Sequence, residues 1–441
     1  MKYVSTRQPA DTDQLVALED AIMSGTAPDG GLYVPTELPS YKPEDFDGID
    51  TIDELAAKML QPFFAGSALD GLLPEIAKEA FTFDAPVRML KEADFSADEA
   101  LSVLELFHGP TAAFKDFGAR FLASCMTRIA AQRELSSPLT VLVATSGDTG
   151  GAVAAAFHGK PGVRVIVLFP EGRVSARQQH QLTCWGDNIT SLSVRGEFDD
   201  CQRIVKEMFA NRDLVEQFNL CSANSINVGR LLPQSVYYAK ASLDYYRKTG
   251  KTSSFVVPTG NLGNAFACVW AKSMGFPIGS IILATNANRT IPDFLQEGEW
   301  NPRSSVATLA SAMDVGNPSN MERLRNLWGE AASLRERLNA YSVTDEQIRA
   351  QIVEEFQRDG IAWCPHTATA FYVYRNDLSD EERRNSHWSL VATADAAKFE
   401  DIVEPLVGQT LPIPPELESL LKLPSHFDTV DAESSAVAAY L

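Results

Sequence analysis

Apolar runs with the length of β-strands alternate with helical patterns along most of this 441-residue chain, and no other feature constrains the fold as strongly. A run that is apolar at nearly every position, such as 139–144, is typical of a strand that is covered on both faces. The predicted strands are 139–144, 163–169, 189–194, a short one near Leu220, 254–257, 281–285 and 389–393. Because strands that alternate with helices form parallel sheets with helices on both faces, the sequence predicts an α/β fold with open, mainly parallel sheets.

Apolar residues also recur at helical spacing between these strands and on either side of them. The predicted helices are 51–64, 72–81, 152–157, 175–184, 200–210, 229–247, 264–274, 321–338, 344–359 and 366–374. The segment 291–320 is rich in Pro, Ser and Asn, so we expect a loop that lies over the surface or over a site. Beyond Phe399 we expect one helical piece, a Pro-rich stretch at 411–415 and a polar tail.

A chain of this length exceeds one ordinary domain and can bury a large core. We expect residues 1–83 to form an N-terminal subdomain that packs on a catalytic body at 84–405. A smaller α/β subdomain is expected to be nested within that body at about 139–225, and residues 406–441 are expected to form a C-terminal segment.

The charge and the cysteines exclude several classes of partner. The formal charge is −20, with 58 Asp and Glu against 38 Lys and Arg and no basic run, which argues against a nucleic-acid surface. An anionic substrate therefore has to be held by a local cluster of donors. The six cysteines are scattered without metal-like spacing, so we expect reduced thiols, no disulfide framework and no metal site. The N-terminus has no apolar signal region and no run of about eighteen apolar residues occurs, so we expect a cytoplasmic protein that has no membrane partner.

Lys115 is the strongest candidate for chemistry. It follows a Gly-Pro turn at 109–110, lies near the start of a predicted helix, and is flanked by Phe114 and Phe117. Exclusion of water and the positive end of a helix both lower the pKa of a lysine. A neutral amine is the nucleophile that forms Schiff bases. The alternative is an ordinary amphipathic helix whose lysine extends into solvent.

Two glycine-rich loops each follow a predicted strand and precede a predicted helix. The loop 258–264 reads Pro-Thr-Gly-Asn-Leu-Gly-Asn, and the loop 145–151 reads Thr-Ser-Gly-Asp-Thr-Gly-Gly. In this geometry, free backbone N–H groups and the positive helix end hold an anion. The loop 145–151 lacks the fingerprints of a nucleotide P-loop and of a dinucleotide-binding fold. A tight turn without a ligand is the alternative for each loop.

Taken together, these motifs resemble the threonine synthase family, whose enzymes use pyridoxal 5'-phosphate (PLP) and are of the tryptophan-synthase-β type. The matching segments, in chain order, are 29–35 (Asp-Gly-Gly-Leu-Tyr-Val-Pro), 108–111 (His-Gly-Pro-Thr), 114–117 (Phe-Lys-Asp-Phe), 145–151, 224–227 (Asn-Ser-Ile-Asn) and 258–264. The resemblance extends from about Tyr3 to Phe399. It implies PLP fold type II, with two open, mainly parallel sheets, helices on both faces and an N-terminal subdomain. It also implies a monomer.

The resemblance assigns cofactor contacts to particular residues. Lys115 carries the PLP. The phosphate of the PLP is surrounded by Gly260, Asn261, Leu262, Gly263 and Asn264. Thr393 faces the pyridine nitrogen, where a neutral hydroxyl favours elimination and replacement over transamination. Read without the resemblance, Thr393 is an ordinary β-branched residue that ends a strand. The family usually has His and Pro where this chain has Asp395 and Ala396, so we assign no role to these two residues.

The reaction that the resemblance implies converts O-phospho-L-homoserine and water into L-threonine and phosphate, the last step of threonine biosynthesis. Lys115 serves as the base. The residues expected to bind the substrate's α-carboxylate are Ser146, Asp148 and Thr149. The residues expected to bind its phosphate are Asn224, Ser225, Asn227 and Arg230. Arginine suits a bidentate phosphate contact, although Arg230 is alternatively a charge on a helix surface.

Other functions stay open at this point. A serine or threonine dehydratase shares the fold, the lysine and the glycine loop, but it needs no second phosphate site. A PLP-binding relative that has lost turnover is the other alternative. A hydride-transfer enzyme fits poorly because no nucleotide fingerprint follows the first strand. Among the histidines, His108 is a candidate to orient the Lys115 segment, and the others, including His366, are expected to pack in the core or on the surface.

Overall fold

A computed structural model describes residues 1–9, 12–91, 100–133, 135 and 137–441. The strands are β1 Tyr3–Ser5, β2 Tyr33–Pro35, β3 Val87–Lys91, β4 Leu101–Glu105, β5 Leu139–Ala144, β6 Val163–Pro170, β7 Ile189–Arg195, β8 Leu220–Cys221, β9 Ser253–Pro258, β10 Ile278–Thr285, β11 Leu338–Ser342, β12 His387–Ala392 and β13 Asp428–Asp431.

Helices surround these strands. The α-helices are α1 Leu18–Ser24, α2 Ile52–Phe64, α3 Leu73–Ala80, α4 Lys115–Arg133, α5 Asp148–Phe157, α6 Ala176–Thr183, α7 Phe198–Ala210, α8 Arg212–Phe218, α9 Val228–Thr249, α10 Gly263–Ser273, α11 Thr290–Glu297, α12 Met321–Trp328, α13 Ala331–Arg335, α14 Asp345–Asp359, α15 Pro365–Tyr372, α16 Asp380–Asn385, α17 Glu400–Val407, α18 Pro415–Leu421 and α19 Ser434–Ala438. Short 3-10 helices lie at Pro43–Phe46, Ser311–Met313 and Ala396–Phe399, and a π-helical turn lies at Val373–Asp377. In the part of the chain that the structure describes, no helix is long and apolar enough to cross a membrane.

The larger sheet has the strand order β11-β10-β9-β12-β4-β3. Its strands run parallel, except that the edge strand β3 is antiparallel to β4. Because β9, β12 and β4 are adjacent and parallel, their carboxyl ends meet at one edge of the sheet. The segments that follow these strands contain the glycine loop, Thr393 and Lys115. The topology alone therefore brings the three candidate groups together.

The smaller sheet has the order β13-β7-β6-β5-β8 and is parallel throughout. The loop 145–151 leaves the carboxyl end of β5. At the other edge, the C-terminal strand β13 pairs with β7, with Asp428 opposite Leu192. The expectation of a polar tail is therefore wrong for this segment, which adds a strand to the sheet and buries Val430. The α/β class with mainly parallel sheets is confirmed.

Helix α2 shows how the N-terminal residues join the body. Thr51 caps the helix, since its side-chain oxygen accepts a hydrogen bond from Glu54 N at 3.4 Å. The buried residues recur at helical spacing and are Ile52, Leu55, Ala56, Met59, Leu60, Phe63 and Phe64. This apolar face packs on α3 and α9, so the N-terminal unit shares one hydrophobic core with the body.

The sequence predictions fail mainly between 290 and 342. The single helix predicted at 321–338 is divided by Gly329, whose φ of 87° lies in the left-handed region that ends helices. The predicted loop begins instead with the helix α11. The strand β11 was not predicted because it is a half-exposed edge strand that pairs with β10 and has a weak apolar pattern.

Candidate active site

The Lys115 segment is anchored to the end of strand β12. Phe114 N donates to the carbonyl oxygen of Thr393 at 2.8 Å, and Asp395 N donates to that of Ala112 at 3.0 Å. Ala112 has a φ of 53°, a conformation that is costly for a residue with a side chain and that is concentrated at functional sites. These two hydrogen bonds place Lys115, the first residue of α4, directly beside Thr393.

Asp116 stabilises the turn before the lysine. Its carboxylate is buried and accepts hydrogen bonds from Thr111 N at 2.8 Å and from Thr111 Oγ1 at 2.7 Å. These bonds close the turn that carries the chain from β4 into α4. Asp116 therefore holds the segment in place.

The surroundings of Lys115 favour a neutral amine. Burial lowers the pKa of Lys115 to about 8; the positive charges of Arg230 and Lys398 act in the same direction, whereas Asp148 opposes them. Within the described ranges, Lys115 Nζ makes no hydrogen bond or ion pair, and it lies 5.8 Å from the centroid of the Phe114 ring. With a pKa near 8, about a tenth of the side chain is neutral at pH 7 and about half at pH 8.

The glycine loop needs glycine at 260 for steric reasons. A Cβ atom added to Gly260 would lie 2.6 Å from Met313 Cα and 2.8 Å from the Met313 carbonyl oxygen, so backbone would have to move. Helix α10 begins at Gly263, and Leu262 has the left-handed φ of 63° that lets the loop turn into it. The first N–H groups of α10 are thus available to an anion.

We expect Gly260→Ala to weaken cofactor binding by about tenfold or more, because overpacking against a backbone costs about 1–3 kcal/mol. Equilibrium dialysis of PLP from the purified variant measures this effect. Gly186→Ala is the matched control, since a Cβ atom at Gly186 would meet nothing within 4 Å. Equal cofactor affinity in both variants would contradict the packing argument.

Asn264 offers a buried donor that the protein does not use. Its Oδ1 accepts hydrogen bonds from Tyr237 Oη at 2.5 Å and from Tyr238 Oη at 2.9 Å, which fixes the orientation of the amide. Its Nδ2 is buried and has no partner among the described residues. A buried amide without an acceptor is costly. The donor therefore fits a ligand atom that accepts a hydrogen bond.

Asn261 uses its side chain to hold the loop. Its Nδ2 donates to Ser225 Oγ at 2.8 Å, and its Oδ1 accepts from Ser319 N at 2.6 Å. Its backbone N–H and the second hydrogen of its amide are therefore left for a cofactor phosphate. The serine hydroxyl that accepts from Asn261 keeps its own proton for another acceptor.

The loop 145–151 is preorganised by Thr145. Thr145 Oγ1 accepts hydrogen bonds from Gly147 N at 3.0 Å and from Gly150 N at 2.8 Å. Ser146 and Thr149 are half-buried, and neither side chain makes a hydrogen bond to a described residue. Their hydroxyls can donate to a carboxylate at the N-terminus of α5.

Asp148 differs from its two neighbours because it is already paired. Lys398 Nζ contacts Asp148 Oδ1 at 2.7 Å, with 0% and 4% of the two side chains exposed, and Gln178 Nε2 donates to the same oxygen at 3.1 Å. Burial alone would raise the pKa of Asp148, but the charges of Lys398 and Lys115 hold it well below its usual value. An ionised carboxylate donates no hydrogen bond, so the prediction that Asp148 grips the substrate carboxylate is revised: Asp148 anchors the loop.

Lys398 is a residue of the site that the sequence did not indicate, although it lies close to Thr393. Its ammonium is fully buried and also donates to the Thr111 carbonyl oxygen at 2.7 Å. It therefore ties the lysine turn to the loop 145–151. The available signal was its position in the segment 392–399, which also contains Thr393, Asp395 and Ala396.

Thr393 and Asp395 have distinct surroundings. Thr393 is 6% exposed, and its hydroxyl makes no hydrogen bond to a described residue. Asp395 caps the short helix at 396–399 by accepting from Ala397 N at 2.8 Å. Where the family usually has a histidine, this chain thus has a helix-capping carboxylate.

The segment 224–227 contains two kinds of residue. Asn227 is fully buried, and its amide donates to the carbonyl oxygens of Ile22 at 2.8 Å and Ser222 at 3.1 Å and accepts from Gly229 N at 2.9 Å. No donor is left for a phosphate, so the prediction for Asn227 is corrected: it positions the turn and caps α9. Asn224 and Ser225 are half-buried and keep free donors.

Arg230 is a buried cation beside Lys115, not a surface charge. It is 1% exposed and donates through Nη1 to the Ala223 carbonyl oxygen at 2.7 Å, while its Nε is buried without a partner in the described chain. Burial lowers the pKa of Arg230 to about 10, so it stays charged at pH 7. An unused donor on a buried cation fits an anionic ligand.

His366 is a further residue of the site that the sequence analysis assigned to packing. Its Nε2 accepts from Ala312 N at 3.1 Å, and its buried Nδ1 has no partner among the described residues. Burial lowers the pKa of His366 to about 4, so the ring is neutral and carries its proton on Nδ1. By contrast, His108 pairs with Glu105 at 2.7 Å and, among the described residues, forms no hydrogen bond with Lys115.

Several unused groups lie on the segments that form the candidate site. Among the described residues, the buried donors without a partner include Asn264 Nδ2, Arg230 Nε and His366 Nδ1, and the hydroxyls of Ser146, Thr149 and Thr393 make no hydrogen bond. The set contains an amine that is neutral in part, an anion-binding loop and a hydroxyl beside the lysine. These residues fit a phosphorylated aldehyde such as PLP.

Comparisons with known proteins agree with this chemistry. Family models match residues 2–81 (threonine synthase N terminus), 85–392 (pyridoxal-phosphate dependent enzyme) and 367–441 (threonine synthase, C-terminal). The chain is 37% identical to the threonine synthase of Escherichia coli strain K12, over 97% of this chain and 96% of that protein. The crystal structure of an E. coli threonine synthase superposes with a TM-score of 0.88 at 36% identity, covering 100% of this chain and 99% of that one. A PLP-bound threonine synthase from Brucella melitensis has a TM-score of 0.88 at 35% identity, with coverages of 100% and 98%.

Proposed function

The chain belongs to the threonine synthase family of PLP-dependent enzymes, and we propose that the site around Lys115 converts O-phospho-L-homoserine and water into L-threonine and phosphate. The observation that carries this proposal is that two separate sets of donors are unused by the protein, which we assign to two phosphate groups. One set is the glycine loop, and the other is the pair Asn224 and Ser225 with Arg230. A dehydratase needs only the first set.

PLP is the cofactor, and we propose which residues hold it. Lys115 would bind it through Nζ, and the loop from Gly260 to Gly263 would receive its phosphate. Asn264 Nδ2 would donate to an acceptor on the cofactor, and the Thr393 hydroxyl would face the ring nitrogen. When bound, PLP supplies an electron sink that stabilises negative charge at the α-carbon of the substrate.

Lys115 would then move the protons. Its neutral amine would accept the proton from the substrate α-carbon and then one from the β-carbon, so that the C–O bond at the γ-carbon breaks and phosphate leaves. A proton delivered to the γ-carbon, water added at the β-carbon and a proton returned to the α-carbon would complete L-threonine. A pKa near 8 suits both tasks, because the amine can be neutral as a base and protonated as an acid around neutral pH. The neighbouring amine of Lys398 is not available for these transfers, since it is engaged by Asp148 and by the Thr111 carbonyl oxygen.

Substrate recognition would be divided between two loops. Ser146 and Thr149 would donate to the α-carboxylate, with Asp148 held away from it by Lys398. Asn224, Ser225 and Arg230 would donate to the phosphate. The acidic chain has no global attraction for an anion, so this local cluster has to supply the binding.

We further propose a cytoplasmic monomer divided as the sequence indicates. Residues 1–83 would form the N-terminal unit, 84–405 the body with the nested unit at about 139–225, and 406–441 the C-terminal segment. The separate two-stranded sheet β1-β2 supports the first boundary, and the parallel sheet built on β5 to β8 supports the nested unit. Strand β13 joins that same sheet, so the C-terminal segment would complete the nested unit.

The proposed reaction predicts stoichiometric release of phosphate and L-threonine when the purified protein is incubated with PLP and O-phospho-L-homoserine. A phosphate assay and amino-acid chromatography measure both products. Incubation with L-threonine, followed by an assay for 2-oxobutyrate, tests the dehydratase. Formation of 2-oxobutyrate without phosphate release would replace the proposal, and binding of PLP without either product would indicate a relative that has lost turnover.

A further inference from the structure

Arg323 is a buried cation whose surroundings differ from those of an ordinary ion pair. It lies on α12 and is 0% exposed. Its Nε and Nη2 donate to the Tyr33 carbonyl oxygen at 3.1 and 2.9 Å, Nη2 also donates to the Ile226 carbonyl oxygen at 2.7 Å, and Nη1 donates to Asn320 Oδ1 at 2.6 Å. All of these acceptors are neutral.

No carboxylate in the described chain forms a hydrogen bond or ion pair with this guanidinium. The adjacent Glu322 binds Arg7 and Thr6 instead, with distances of 3.1 Å to Arg7 Nε and 2.5 Å to Thr6 Oγ1. Burying a charge without a counter-charge costs several kcal/mol. A residue with this cost has to be stabilised by its hydrogen bonds, which join it to Tyr33, Ile226 and Asn320.

The acceptors of Arg323 belong to segments that are far apart in sequence. Tyr33 lies in the N-terminal segment 29–35, and Ile226 lies in the proposed phosphate segment 224–227. Asn320 continues the connection, because its Nδ2 donates to the Asn261 carbonyl oxygen at 3.0 Å in the glycine loop. Asn261 in turn donates to Ser225 Oγ at 2.8 Å. One guanidinium therefore holds the N-terminal segment, the phosphate segment and the cofactor loop in one arrangement.

Arg230 provides a comparison on the same segment. It donates to the carbonyl oxygen of Ala223, whereas Arg323 donates to that of Ile226. The two guanidinium groups thus hold the backbone immediately before and within 224–227. Arg230 retains an unused Nε for a ligand, while the contacts of Arg323 are to protein groups.

We propose that Arg323 is a positioning residue that sets the geometry of the substrate-phosphate donors Asn224 and Ser225. Its planar guanidinium reaches Tyr33, Ile226 and Asn320 at once. A lysine ammonium is a compact point charge and cannot reach all three. Substrate phosphate then meets donors that are already in place, so less binding energy is spent on ordering them. This inference rests on the proposed function, because it assumes that the segment 224–227 receives the substrate's phosphate.

The test compares Arg323→Met and Arg323→Lys with Arg325→Met in the holoenzyme. Arg325 lies on the same helix, two residues later, and its side chain is 35% exposed and paired with Glu330 at 2.7 Å. We expect Arg323→Met to raise the KM for O-phospho-L-homoserine by about 10- to 100-fold, as a small misplacement of binding groups does. Arg323→Lys is expected to fall between Met and the unmodified enzyme, and Arg325→Met to leave KM unchanged.

A second ligand separates positioning from general damage. L-Threonine has the α-amino acid group but no phosphate, so its dissociation constant, measured from its effect on the visible absorption of bound PLP, should stay within about twofold in every variant. Inorganic phosphate should inhibit the Arg323 variants more weakly than the unmodified enzyme, with an inhibition constant that rises as KM does.

Unchanged KM in Arg323→Met, or an equal loss of threonine binding, would overturn the inference. If Arg323→Met does not fold, Arg323→Lys decides: a rise in KM with intact threonine binding supports positioning, and equal changes in both oppose it. Lack of turnover in the unmodified enzyme is a different result, because it removes the proposed function and this inference with it.

Discussion

Replacing Lys115 with alanine is expected to lower kcat by about 10³-fold or more and to remove the visible absorption of covalently held PLP. The change deletes the amine that lies beside Thr393 and whose pKa burial lowers to about 8. The cofactor should still bind without a covalent bond, since the glycine loop and Asn264 are held in place by contacts that do not involve the lysine. Absorption spectra before and after dialysis, together with phosphate release, measure both effects.

The control for this change is Lys206→Ala on the exposed face of α7, which should keep the spectrum and the rate. Lys115→Arg adds a second comparison, because it keeps a cation in place without an amine that is neutral near pH 8. Turnover by Lys115→Ala at more than about a tenth of the normal rate would show that another group performs the proton transfers.

The pKa of Lys115 also determines whether the rate of PLP uptake rises or falls with pH. Its pKa is lowered chiefly by burial, so the amine gains its neutral form as pH rises through about 8. The rate at which the cofactor-free protein takes up PLP should therefore increase from pH 7 to pH 9. Uptake that is constant over this range would mean that the amine is already neutral at pH 7.

The order of the strands explains why the centre of the site was predictable. A parallel sheet places the residues that follow adjacent strands at one edge, so the lysine turn, the glycine loop and Thr393 converge once β4, β9 and β12 are neighbours. Each of these segments also has a local signal, such as the Gly-Pro turn before Lys115. The fold class, the family and the cofactor that the sequence indicated are confirmed by the comparisons.

Groups that depend on packing between distant segments could not be predicted in this way. Lys398 reads as an ordinary lysine, and its burial requires that 393–398 meet both the lysine turn and the loop 145–151. His366 enters the site because Ala312 approaches it from a segment predicted as a loop. Asn227 carries an amide, a group that donates hydrogen bonds to phosphate, but this amide is fully used within the protein. Spacing along the chain contains no information on these contacts.

The pair of Lys398 and Asp148 leads to the second large effect. Lys398→Met removes the cation from a pair with 0% and 4% side-chain exposure and leaves a buried carboxylate with less compensation. We expect this change to lower the free energy of unfolding by about 3 kcal/mol or more. Equilibrium unfolding in urea measures it, and Lys422→Met in the exposed pair with Glu418, at 69% and 56% exposure, should change stability by less than about 1 kcal/mol.

The pH dependence of this loss follows from the direction of the Asp148 pKa. In the unmodified protein the pKa is held below its usual value despite burial, so the contribution of Asp148 to stability is present above the unfolded pKa and is lost as the pH falls through the folded pKa. Without Lys398, burial should raise the Asp148 pKa above its unfolded value. Folding then favours the protonated carboxyl, and the deficit of Lys398→Met should grow as the pH rises from about 4 towards 7.

The double variant Asp148→Asn with Lys398→Met tests whether the charge, rather than the lost packing of the lysine, causes the deficit. Removing both charges leaves no uncompensated buried ion, so the double variant should be more stable at pH 7 than Lys398→Met alone, although it carries one more substitution. Its activity should not recover, because the loop 145–151 and the turn at Thr111 would no longer be joined by an ammonium that contacts both. If the two substitutions instead destabilise additively, the pair makes no net electrostatic contribution, and the stability of this edge of the site comes from packing alone.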